Sequence, residues 1–68
     1  MRAYKCEVQE YFWEGALSYH LRYAIITADS KAEAKRIAAA NVKHFKLCKI
    51  ECEVGLKPDA QKGVEWLL

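Results

Sequence analysis

Apolar and polar residues alternate near the start of the chain, with Tyr4, Cys6 and Val8 separated by Lys5, Glu7 and Gln9. A period of two marks a strand with one face on a core and the other in water, so a first strand is predicted here. A second alternation runs through Leu17, Tyr19, Leu21, Tyr23 and Ile25, with Ser18, His20 and Arg22 facing the other way. It predicts a second strand whose large residues point inward. Between the two lies Glu14-Gly15-Ala16, where Gly15 can take the positive φ of a tight turn. The two strands are expected to form a hairpin.

The period then changes. Ala34, Ile37, Ala38 and Asn41 fall at i, i+3, i+4 and i+7, one stripe of a helix. Ser30 followed by Glu33 is a capping box, in which the hydroxyl takes the amide of Glu33 while the carboxylate reaches back toward the Ser30 amide. The stripe is built of small residues, so this helix can lie close to a sheet. Lys31, Lys35, Arg36 and Ala39 form its outer side, and Lys43 and His44 near its C-terminus suit the helix dipole.

Cys48, Ile50, Cys52 and Val54 alternate with Lys49, Glu51 and Glu53, predicting a third strand. Residues Gly55 to Gly63 include Pro58 and read as a long hairpin loop. A short last strand follows, with Val64, Trp66 and Leu68 on one face. The order β-β-α-β-β places the third strand antiparallel to the first. The expected fold is a two-layer α+β domain: one antiparallel four-stranded sheet in spatial order 4-3-1-2, with the helix on one face. The second face, carrying Lys5, Glu7, His20, Arg22, Lys49, Glu51 and Glu53, is expected to stay in water.

Sixty-eight residues make a single domain, residues 1–68, near the lower limit for folding on a hydrophobic core alone. A hydrophobic fraction of 53% excludes the composition of a disordered chain. No apolar run reaches about 18 residues, so no membrane span or membrane partner is expected. Met1 leads directly into an alternating charged segment, which predicts a cytoplasmic protein without a signal peptide. Three cysteines, an odd number, fit that reducing compartment.

Net charge is only +2, but residues 31–49 carry six basic groups (Lys31, Lys35, Arg36, Lys43, Lys46 and Lys49) against Glu33 alone. The charge is a local patch, of the kind that meets phosphates or an acidic protein groove. Tyr11-Phe12-Trp13 cannot all face a core, because neighbouring strand side chains alternate. Phe12 or Trp13 is therefore a candidate secondary anchor for a partner.

Metal and catalytic chemistry are not expected. His44, Cys48 and Cys52 are spaced by four, and residues four apart on a strand are separated by roughly 13 Å, too far to share one zinc. All three cysteines are better read as small hydrophobes in the core. No glycine-rich loop or nucleophile elbow accompanies His20, His44 or Cys6, so the chain is expected to be non-catalytic and to need no cofactor.

The opening Met1-Arg2-Ala3-Tyr4, the helix segment Ala34-Lys35-Arg36-Ile37-Ala38 and Trp66 resemble small phage-encoded anti-CRISPR proteins, in particular the ninth family of type I-F inhibitors. The resemblance extends to length and to a plan of one helix on an antiparallel sheet. It implies a stoichiometric inhibitor that docks on the backbone subunits of a crRNA-guided surveillance complex in the host bacterium and obstructs target-DNA hybridisation. Lys35 and Arg36 are the matching positions, and would compete with nucleic acid for a contact or touch DNA themselves. Two other readings remain open beside it: a nucleic-acid-binding accessory protein using the basic face on phosphates without sequence specificity, and a structural or dimerising module in which an edge strand pairs across a two-fold axis. The chain is expected to be a monomer or weak homodimer.

Overall fold

The computed structural model describes residues 1–56 and 61–67. Its elements are β1 (Arg2–Tyr11), β2 (Tyr19–Ala28), α1 (Lys31–Ala40), β3 (Phe45–Leu56) and β4 (Gly63–Leu67). All strand pairings are antiparallel, in one four-stranded sheet. The helix lies on one face of it, as an α+β domain of this pattern should.

β1 and β2 form the expected hairpin, in register from Arg2 opposite Ala28 to Tyr11 opposite Tyr19. At the turn Gly15 adopts φ +81°, and the Ala16 amide donates to the Trp13 carbonyl at 3.1 Å. Residues directly opposite share a face, so Ala24 joins Cys6, and Ile26 joins Tyr4, under the helix. Ala24, Ile26 and Ala28 are fully buried there.

This reverses the expected orientation of the second strand. Tyr19, Leu21, Tyr23 and Ile25 lie on the face away from the helix, and His20 and Arg22 on the helix side. The cause is the closeness of α1, which meets the sheet through Ala34 and Ala38. A layer of alanines and a cysteine lets the helix approach, where Leu21 and Tyr23 would hold it away. The open face is therefore mixed. Lys5, Glu7 and Lys49 share it with the exposed side chains of Tyr19, Leu21, Leu47 and Leu67.

The cap of α1 forms as predicted on one side, with the Glu33 amide donating to Ser30 Oγ at 3.1 Å. Glu33 Oε1, however, accepts from the Asp29 amide at 2.8 Å, one residue earlier than a capping box requires. At the other end Asn41 Nδ2 donates to the Ile37 carbonyl at 2.8 Å. Asn41 is thus an exposed cap, not the last member of the buried stripe.

β3 pairs with β1, but the ladder is broken by register shifts at Ala3/Tyr4, Lys5/Cys6 and Gln9/Glu10. Cys6 lies opposite Ile50 while Lys5 lies opposite Cys52, leaving Glu51 as an extra residue. A bulge of this kind reverses which face the following residues take. Cys48 stays buried, whereas Cys52 and Val54 are exposed. Only two of the three cysteines are core residues.

β4 pairs with β2 and not with β3, so the observed order is β3-β1-β2-β4 in place of 4-3-1-2. Trp66 lies opposite Ala24 and Val64 opposite Ile26, both half-buried against the core. Trp66 supplies beside Ala24 the bulk that β2 lacks on this face. β3 and β4 therefore lie at opposite edges of the sheet and do not pair as the expected hairpin. Residues 57–60, with Pro58, and Leu68 of the expected last strand lie outside the described residues.

Candidate functional site

Moving β4 to the far edge leaves the outer side of β3 without a strand partner among the described residues. Beside it runs an open groove of about 410 Å³, lined by Lys31 and Lys35 of α1 and by Leu47, Cys48, Lys49 and Ile50 of β3. Lys31 and Lys35 are four residues apart and so stand one above the other on the same flank of the helix. Lys49 borders the groove from the strand, but its side chain lies on the open face of the sheet. Its cross-strand neighbour is Glu7, whose carboxylate accepts from Gln9 Nε2 at 2.9 Å. Among the described residues none of the three lysines is in an ion pair.

The other basic candidates do not join this groove. Arg36 lies about 100° further round the helix than Lys35 and is exposed. Lys43 follows the helix, with its amide donating to Glu10 Oε2 at 3.1 Å. Lys46 is turned to the open face, where Nζ donates to Gln9 Oε1 at 3.1 Å and lies 4.5 Å from the centroid of the Tyr19 ring. The six basic residues thus divide into the helix pair Lys31 and Lys35 on the groove side of the sheet and four that lie elsewhere, with Lys46 and Lys49 on the open face. Phe12 and Trp13 lie on the hairpin turn, 53% and 62% exposed. Their rings are 6.3 Å apart, and Phe12 is 5.1 Å from the His20 ring. They form an aromatic tip outside the groove lining.

A second cluster was not legible in the sequence. Glu10 Oε1 lies 3.0 Å from His20 Nε2 and 3.5 Å from Arg22 Nη1. Burial pushes the Glu10 carboxyl up. The hydrogen bonds from His20 and from the amides of Lys43 and His44, with Arg22 nearby, outweigh this and hold it below the usual carboxylate range. The cluster ties the end of the hairpin to the segment after the helix, and so acts as a brace. The signal that would have found it is the pairing register, which puts Glu10 directly opposite His20.

Cys6 and Cys48 form a buried pair. Hydrogen bonding with Cys48, reinforced by burial, pushes the Cys6 thiol up. Cys48 is lowered by its hydrogen bond with Cys6 and by the charge of Lys35, against the effect of burial. Both side chains are almost without solvent contact, which suits packing and not nucleophilic attack. Among the described residues no three His, Cys, Asp or Glu side chains are grouped as a metal site requires. No described helix is long and apolar enough to cross a membrane. No family model matches the chain, and neither does any curated protein or solved structure.

Proposed function

We propose that this is a non-catalytic binding protein that docks on an anionic partner through the groove between α1 and β3. The observation that carries the reading is the pair Lys31 and Lys35 beside an edge of β3 that no described strand covers, with no carboxylate in the lining. Cations held in this way steer an acidic surface into register with a defined line of the protein. The resemblance to the ninth family of type I-F inhibitors supplies the partner: a CRISPR surveillance complex in the bacterial cytoplasm, kept from its target DNA. Lys35 would lie at the contact, with Arg36 and the Phe12–Trp13 tip reaching adjacent surface.

The test is a gel shift of target DNA with purified type I-F surveillance complex, with and without this protein. Loss of DNA binding at a one-to-one ratio, restored by K31E/K35E, is the expected result. Unchanged DNA binding with the wild-type protein overturns the inhibitor reading. A second reading, self-association, is favoured by the exposed Tyr19, Leu21, Leu47 and Leu67 on the open face. Light scattering that shows a mass rising with concentration would support it.

A further inference from the structure

We propose that the partner's contribution to this groove is an extended acidic segment that pairs with β3 as an added strand of the sheet. The inference rests on the docking reading above and names the chemistry of what docks.

The β1–β3 ladder has register shifts on both sides of Leu47–Ile50, at Gln9/Glu10 and at Lys5/Cys6. Within that stretch the pairing is regular: Gln9 with Leu47, Val8 with Cys48, Glu7 with Lys49 and Cys6 with Ile50. These four residues of β3 are the same four that line the groove. The one regular piece of free edge in the neighbourhood thus lies beneath the helix lysines. In an edge strand alternate residues direct both N–H and C=O away from the sheet. An incoming strand satisfies donors and acceptors together and gains affinity from the main chain, while its side chains give specificity.

Charge sets which strand fits. Lys31 and Lys35 favour carboxylates at alternate positions on the helix-side face of the incoming segment, and the positions between them fall on the open face, where apolar residues meet Leu47. A nucleic acid fits less well. Its phosphates accept hydrogen bonds but cannot donate to the β3 carbonyls, and the groove lining has no aromatic ring on which a base could stack. Further along β3, Glu51 and Glu53 repel a phosphate backbone that continues in the same line.

The experiment uses the whole protein and a short fluorescein-labelled peptide alternating glutamate with valine. Fluorescence anisotropy follows binding, and two-dimensional amide NMR locates it. The expected result is saturable binding with the largest amide shifts at Leu47 to Ile50. Binding should weaken about tenfold in K31E or K35E, both at exposed positions, and be lost when alternate peptide amides are N-methylated. An N-methylated peptide that binds as well as its parent overturns strand addition, because it keeps every charge and loses the main-chain pairing. Tighter binding of an oligothymidine of equal charge, at the same amides, also overturns it and assigns the groove to nucleic acid. The two readings fail separately. A peptide that pairs with β3 while the surveillance complex still binds DNA leaves the strand inference standing and removes the inhibitor. Blocked DNA binding without any peptide pairing does the reverse.

Discussion

The guanidinium carbon of Arg22 lies 3.8 Å from the centroid of the Trp66 ring. Arg22 belongs to β2 and Trp66 to the edge strand β4, so this cation–π contact closes the helix-side layer at the edge opposite the groove. Such a contact contributes about 0.5–1 kcal/mol where it is partly exposed. Trp66→Ala removes that and a half-buried ring together, and is expected to cost about 2 kcal/mol in urea unfolding. Arg22→Ala should cost under half as much and shift the tryptophan emission to the red. Equal losses for the two variants would show that the ring's burial contributes little.

Glu10 should make stability depend on acid. Its carboxyl is held below the usual range in the folded protein, so the stabilisation is complete above the ordinary carboxylate titration, near about pH 4. It is lost as pH falls through the lower folded-state value. Glu33 is shifted the same way by the Asp29 amide and by Lys62. Urea midpoints measured between about pH 6 and pH 3 should therefore fall less steeply in Glu10→Gln than in the wild type. Parallel curves would remove Glu10 from this account.

The thiols should separate into two classes. Cys52 is exposed, while Cys6 and Cys48 are buried. An aromatic disulfide reagent is expected to titrate one thiol in the native protein and the other two only as it unfolds. Rapid native reaction of a second thiol would contradict the burial of the Cys6–Cys48 pair.

The contact of α1 with the sheet depends on small side chains. Ala38 is fully buried against the alanine-rich face of β2, so Ala38→Leu forces helix and sheet apart and should cost about 1–3 kcal/mol. Ala40→Leu, at an exposed position of the same helix, should change the thermal midpoint little. A neutral Ala38→Leu would mean that the layer is looser than this packing implies.

Much of the architecture could be read from the chain because local signals agreed. The alternation of β1, the Gly15 turn, the Ser30 cap and the Ala34–Ala38 stripe each specify their element through nearest neighbours. Two other features depended on what a strand meets in three dimensions. Leu21 and Tyr23 look like core residues by size, yet the register with β1 and the closeness of the helix place Ala24 and Ile26 inside. Nothing local to Val64 or Trp66 tells β2 from β3 as partner, since either offers a ladder. The groove depended on that choice, so its lysines were visible in the sequence as a charge excess but its floor was not. Cys52 was misread for a related reason, because a single extra residue at Glu51 reverses the faces beyond it.

The register shifts along β3 also bear on how the protein behaves when it is abundant. A twelve-residue edge strand with Leu47, Ile50, Val54 and Leu56 along it would, if flat and regular, be a template on which copies could stack. Bulges bend and twist the edge, and they limit the regular part at Leu47–Ile50 to four residues beside two like-charged lysines of the helix. Two copies approaching edge to edge bring those lysines together. The chain can therefore keep a pairing edge open to a partner of opposite charge and still resist aggregation with itself.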